Sequence, residues 1–242
     1  MFTVVTSFSP AGYNTYAHKF ISSFWKYWPK DVRLLVYYEG QRPDGITEGF
    51  DLLQLKRASA FLDRHKDNLV VQGIEVKDDM PTWTGKARQR GYNFRSDAYK
   101  FCRKVFAVAH AAKTANSGRL FWIDADVETM RPVPHRLFGD VLPDGYDLSR
   151  LYRERYHSEC GFVGYNLDNG ATRSFIEAYE KQYSTDAFLK DVAWDDCNQL
   201  DYLVKKLPVR CYNIQHRSRP QPFDNSILGH YMTHHKGARK LL

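Results

Sequence analysis

Residues 2–6 (Phe-Thr-Val-Val-Thr) and 32–38 (Val-Arg-Leu-Leu-Val-Tyr-Tyr) bracket a segment in which Phe20, Phe24 and Trp28 recur at helical spacing. The outer stretches are rich in Val, Leu and aromatic residues, which suit buried strands. Pro29 stops the helix that the spacing predicts over residues 16–28. Strand, helix and strand within forty residues need a crossover connection, so the two strands belong to a parallel sheet. Further elements read less sharply: a helix near 51–66, a Gly-, Trp- and Lys-bearing loop over 81–91, and an amphipathic helix over 96–115 with Ser96 as its N-cap. Asn116-Ser117-Gly118 is a stop signal ahead of a strand at 120–123. Beyond a Pro-rich connection at 131–134, strands are expected near 147–152, 160–166 and 209–214, and helices over 171–184 and 195–206. No repeat or linker divides the 242 residues, so the expectation is one α/β domain with a mixed, mostly parallel central sheet flanked by helices.

The strand Leu120-Phe121-Trp122-Ile123 ends in Asp124-Ala125-Asp126. Its four residues do not alternate with polar ones, the pattern of a strand buried on both faces. The two carboxylates therefore fall at a strand's carboxyl end, where open α/β sheets place their ligand crevice. Residues i and i+2 point to the same side, so both can converge on one hard cation. A turn or a helix cap would use the same residues.

A second cluster closes the chain: His234-x-x-Gly237-x-x-Lys240. Two carboxylates and one imidazole leave open positions on a metal for a diphosphate. Oxygen ligands select Mg²⁺ or Mn²⁺, and the nitrogen tilts the choice toward Mn²⁺. Lys240 would place positive charge on a leaving diphosphate, and Gly237 would let backbone approach it. A frayed basic terminus is the plainer reading of the same residues.

Composition narrows the partners. The formal net charge of +7 favours anionic ones, but the positive residues are spread along the chain, which makes nucleic acid an unlikely partner. Cys102, Cys160, Cys197 and Cys211 lack Cys-x-x-Cys spacing and sit in apolar or mixed segments, the pattern of reduced, buried thiols. No apolar run is long enough to span a bilayer and no signal peptide is recognisable, so a cytoplasmic protein is expected.

Taken together, these motifs resemble nucleotide-sugar-dependent glycosyltransferases of the GT-A fold, whose hallmark is Asp-x-Asp. The resemblance spans the order of elements from residue 2 to 240, only three motifs are specific, and the middle of the chain matches no family closely. His234-x-x-Gly237-x-x-Lys240 resembles the close of glycogenin-like and bacterial galactosyltransferase-like enzymes. Ser96-Asp97-x-x-Lys100 resembles a Ser-Asp-x-x-Arg element of capsular-polysaccharide and mannosyltransferase-like relatives, with Lys for Arg keeping the charge but losing the fork. The resemblance implies that Asp126 binds the metal, that Asp124 reaches the metal or the ribose, and that His234 completes the ligand set. It implies a UDP-linked donor, a glycan or other hydroxyl-bearing acceptor, and two halves, about 1–126 for the nucleotide and about 127–242 for the acceptor and the metal-binding tail. Thr6-Ser7-Phe8 and Glu39 would flank base and ribose, though all but Phe8 also read as turn residues. Arg95, Asp97 and Lys100 would lie over ribose, donor sugar or phosphates.

On the acceptor side, Glu159-Cys-Gly-Phe-Val-Gly-Tyr-Asn166 resembles the small-residue strand lining the sugar pocket, but departs from its Asn-Ser-Gly pattern and adds a carboxylate. Trp194-Asp195-Asp196 resembles an element that opens a helix beside the donor sugar, and Asp195 equally reads as an N-cap. Inversion would require a base, for which Glu159, Asp195 and Asp196 are the candidates. Retention requires none, and the glycogenin-like tail favours it. A sugar-nucleotide pyrophosphorylase would share much of the fold, but residues 6–12 hold one glycine and no Lys or Arg. A non-enzymatic nucleic-acid-binding protein would explain charge and aromatic content, but not acidic and metal-competent clusters at strand ends.

Overall fold

A computed structural model describes residues 1–74, 92–154, 156–215 and 221–237. The loop expected over 81–91 and Lys240 lie outside the described residues. Strand β1 (Phe2–Ser7) leads into a short turn α1 (Pro10–Gly12), a π-helical stretch (Tyr13–Ala17) and helix α2 (His18–Tyr27). The helical run thus begins six residues before the expected start, because Ser9 caps it through Gly12 N and Pro10 occupies its first turn. Strand β2 (Arg33–Tyr38) follows, then a short strand β3 (Gly49–Asp51) that patterning does not reveal. The helix near 51–66 is a 3₁₀ turn (Leu52–Gln54) and α3 (Lys56–His65).

Helix α4 (Ala98–Ala115) is capped by Asp97, which accepts from Lys100 N at 2.9 Å, and not by Ser96. Ser96 is drawn instead into a 3₁₀ turn (Phe94–Ser96) that Asn93 caps. Asn116 then adopts the left-handed conformation (φ 59°) and ends α4. Strand β4 (Arg119–Ile123) is followed by β5 (Val127–Thr129) and α5 (Arg136–Val141), neither of them anticipated. The remainder is β6 (Leu148–Arg153), β7 (Tyr156–Asn166), α6 (Gly170–Ser184), α7 (Asp196–Lys206), β8 (Cys211–Asn213) and β9 (Met232–His234).

Seven strands form one sheet in the order β3-β2-β1-β4-β7-β6-β8. The contacts β1–β2, β1–β4, β2–β3 and β6–β8 are parallel, and β7 runs antiparallel to both β4 and β6. This is the expected mixed, mostly parallel sheet. Successive strand residues face opposite layers: Val5, Leu120 and Trp122 pack with α3, α4, α6 and α7, while Val4, Phe121 and Ile123 pack with Phe20, Phe24 and Phe138 from α2 and α5. Cover on both faces is the reason these strands carry no polar alternation. Among the described residues, no helix is long and apolar enough to cross a membrane.

Two features of this frame place the site. The carboxyl ends of β1, β2 and β4 share one edge, and β7 continues past β4 there, since Ile123 pairs with Phe162 and Asp124 N donates to Gly161 O at 3.0 Å. The small β5–β9 ladder then pairs Val127 with His234, returning the end of the chain to that edge.

Candidate active site

At the end of β4 the chain turns, with Val127 N donating to Asp124 O at 3.0 Å, and the turn aims both carboxylates toward β9. His234 Nε2 lies 3.1 Å from Asp126 Oδ1 and 3.7 Å from Asp124 Oδ2. Ligand atoms of the three residues all fall within 4.8 Å of one another, a spacing one cation can bridge. Backbone holds the other side, where His235 N donates to Asp126 O at 2.9 Å. The second ring nitrogen, His234 Nδ1, donates to Glu159 Oε1 at 2.8 Å, and Lys236 Nζ lies 2.6 Å from that oxygen. A carboxylate on Nδ1 is the usual outer partner of a metal-bound imidazole, because it fixes the tautomer and leaves Nε2 for the ion. The donor set therefore fits Mn²⁺ or Mg²⁺.

Electrostatics follow from these pairings. Burial disfavours the His234 imidazolium, but hydrogen bonds to Asp126 and Glu159, with the Asp124 charge, raise its pKa to about 9. Burial likewise disfavours a Glu159 carboxylate, yet His234 and Lys236 pull it down to about 2. Gly161 makes the arrangement possible. A Cβ there would lie 2.5 Å from His234 Cε1 and 2.6 Å from Nδ1, so the ring packs directly on the backbone of β7.

Patterning missed Lys104. This side chain is only 8% exposed, and its ammonium lies 2.9 Å from Asp124 Oδ1 and 2.5 Å from Asp196 Oδ2. It also donates to Cys160 O at 2.8 Å and sits 5.1 Å from the centroid of the Trp122 ring. Burial opposes its charge, but Asp124 and Asp196 hold its pKa well above the ordinary lysine value. The available signal was positional: Lys104 lies four and seven residues before buried Val108 and Ala111, so it opens an apolar stripe of α4. Asp124 Oδ1 also accepts from Trp122 Nε1 at 2.7 Å.

The other expected residues divide. Asp195 is the N-cap of α7: Oδ1 accepts from Cys197 N and Asn198 N, both at 3.1 Å, and Oδ2 from Asn198 Nδ2 at 2.6 Å. Burial and the neighbouring Asp196 push its carboxyl up to about 7. Thr6 and Ser7 are not turn residues, because the parallel pairing continues through Thr6–Val36 and Ser7–Tyr37. Phe8 is buried against Tyr13 in the α2-side core. Glu39 is gripped by Arg103, whose Nε and Nη2 donate at 2.7 and 3.3 Å. Asp97 accepts from Tyr92 Oη at 2.6 Å as well as capping α4. Lys100 is exposed, its ammonium 5.5 Å from the centroid of the Phe101 ring. Gly237 has φ +57° and nothing within 4 Å of a Cβ position, so conformation and not close approach explains it.

All four cysteines are free thiols. Two of them meet although their spacing gives no hint of it: Cys160 and Cys197 converge with Asp196, ligand atoms within 4.8 Å of one another.

No protein-family model matches the sequence, and no curated protein sequence matches it either. Solved structures that show distant likeness include the following three. A glycosyltransferase involved in glycosylation of the major capsid of PBCV-1 is 11% identical, with 98% of this chain and 95% of that one covered at a TM-score of 0.49. Mouse xyloside xylosyltransferase 1, in its apo form, is 10% identical over 88% and 85%, at 0.46. The galactosyltransferase LgtC, in complex with donor and acceptor sugar analogs, is 12% identical over 98% and 87%, at 0.46.

Proposed function

We propose that this protein is a metal-dependent glycosyltransferase of the GT-A type, a single domain that moves a sugar from a UDP-linked donor to a hydroxyl acceptor. One observation carries the reading: Asp124 and Asp126 converge with His234, more than a hundred residues later in the chain, at the carboxyl edge of the sheet with Glu159 behind the imidazole. In this reading Mn²⁺ or Mg²⁺ is held by those three side chains and, when bound, neutralises charge gathering on the departing diphosphate. The chain's own residues do the rest. Glu159 orients His234, while Lys104 holds Asp124 and Asp196 in place and keeps positive charge beside the donor. The edge of β1 and β2, from Thr6 to Phe8 and at Glu39, receives base and ribose.

Retention is the stereochemical outcome this arrangement supports. Glu159 near pKa 2 is too weak a base to take an acceptor proton efficiently at neutral pH. Asp195 has a better-matched pKa but commits both oxygens to its cap, and Asp196 is paired with Lys104.

The test is release of nucleotide from a panel of nucleotide sugars, with Mn²⁺ and after chelation, in the wild type and in Asp126→Ala. Turnover of UDP-sugars that needs Mn²⁺ and disappears in the variant is expected. Equal turnover after chelation, or an unimpaired variant, refutes the metal assignment.

A further inference from the structure

Beside the metal-competent cluster, on the β6–β7 side of the sheet edge, lie two guanidiniums and an imidazole that no described carboxylate pairs directly, with Asp195 acting on Arg95 and Glu159 on His157 only from beyond ion-pair distance. Arg153 ends β6, and its Nε donates to His157 O at 2.8 Å on β7. The Phe94 and His157 rings lie 6.1 Å apart, which brings the neighbouring Arg95 to the same place. Arg95 Nε and His157 Nδ1 are both buried without a hydrogen-bond partner. Among the described residues, no carboxylate pairs with Arg95 or Arg153. Burial, together with Arg153, Arg95 and Lys236, holds His157 down to about 4, so at neutral pH it is an uncharged ring in a positive field. Two guanidiniums repel one another, and Arg95 Nε stays a desolvated donor without a partner unless an anion joins them.

Topology says which substrate would bring that anion. The nucleotide edge is formed by β1 and β2, whereas β7 and β6 lie two and three strands from β1 on the far side of β4. Arg153 and His157 therefore flank the metal cluster opposite to the nucleotide. Tyr156, 68% exposed and with the Arg153 guanidinium 5.8 Å from the centroid of its ring, adds an aromatic surface there.

We infer that Arg95, Arg153 and His157 form an oxyanion subsite for the acceptor, which is therefore an acidic glycan or other hydroxyl compound carrying a carboxylate or a phosphate. The inference rests on the glycosyltransferase reading for the word acceptor, but the subsite itself is testable without turnover. The probes are p-nitrophenyl β-glucuronide, glucose 6-phosphate and the neutral p-nitrophenyl β-glucoside, followed through the His157 ring resonances. The acidic probes are expected to shift those resonances and to bind more tightly than the glucoside. The stronger of the carboxylate and phosphate probes identifies the acidic group. Arg153→Gln should weaken that probe by about tenfold or more, and Arg153→Lys should recover part of the loss. Equal binding of acidic and neutral probes, or an unchanged affinity in Arg153→Gln, overturns the inference. So does displacement of the glucuronide by UDP with Mn²⁺, since the cations would then serve the donor phosphates. Mn²⁺-dependent binding of a UDP-sugar, measured by calorimetry without acceptor, tests the glycosyltransferase reading separately. Donor binding without acid selectivity sinks only the acceptor assignment. Acid selectivity without donor binding sinks only the transferase reading.

Discussion

Replacing Lys104 by Met tests the electrostatic centre of the site, because methionine keeps most of the volume and removes only the charge. In the wild type the ammonium lies 2.9 Å from Asp124 and 2.5 Å from Asp196, and Asp196 is 1% exposed. Removing one partner of a buried ion pair costs about 3–5 kcal/mol, since the remaining charge keeps its desolvation penalty without its attraction. For a chain of this size that corresponds to a fall of about 6–20 °C in Tm. The sign with pH follows from the same pairing. The folded-state pKa of Lys104 is raised, so its contribution is fully present below the ordinary lysine pKa and is lost only as pH rises through the higher folded value. Urea unfolding at pH 7.5, with Asp196→Asn and the double variant completing a cycle, measures the coupling. A variant as stable as wild type at pH 7.5, or a deficit that Asp196→Asn does not relieve, refutes the argument that Lys104 serves to balance buried acids.

Gly161→Ala would place a methyl group 2.5–2.6 Å from the His234 ring, so the imidazole must move away from Glu159 and Asp126. A loss of about 1–3 kcal/mol in denaturant unfolding, with weaker Mn²⁺ binding by calorimetry, is expected, and wild-type values for both would contradict the packing argument. Because His234 is raised to about 9, its contribution to metal-free stability is complete below the ordinary histidine pKa and is lost as pH rises through 9. Mn²⁺ must displace that proton, so apparent affinity should climb about tenfold per pH unit between pH 7 and 9. A flat profile would show that the imidazole is not a ligand. Glu159→Gln removes the carboxylate behind His234 and should lower Mn²⁺ affinity by about 10–100-fold, read by the same titration. It should also lower the His234 pKa, visible in the pH dependence of its ring resonances.

Local patterning exposes the parts of this protein that local physics determines. Val, Leu and aromatic runs mark β1, β2 and β4 because a strand covered on both faces has no use for polar alternation. The spacing of Phe20, Phe24 and Trp28 marks α2 because one face must meet the sheet. What local patterning misses is short or non-local. Strands β3, β5 and β9 have three residues each, too few to show a period, and they exist because a neighbouring strand pairs with them. The N-cap falls on Asp97 and not Ser96 because the turn before it, tied to Asn93, sets where helical geometry begins.

The site divides along the same line. Asp124 and Asp126 were legible, since a carboxylate pair at the end of an apolar strand is a local pattern, and His234 followed from a motif. Roles that depend on a partner were not. Glu39 takes its character from Arg103, Asp195 from the first turn of α7, and Ser7 from a register that carries β1 one residue further. Lys104 and Gly161 look ordinary in the chain. They matter because the fold buries an ammonium between two acids and lays an imidazole on bare backbone. The sequence by itself determined the strands, the helices and the residue types able to hold a metal. Only the tertiary structure decided which charges meet, because the energy of a buried charge depends on partners that lie far away in the chain.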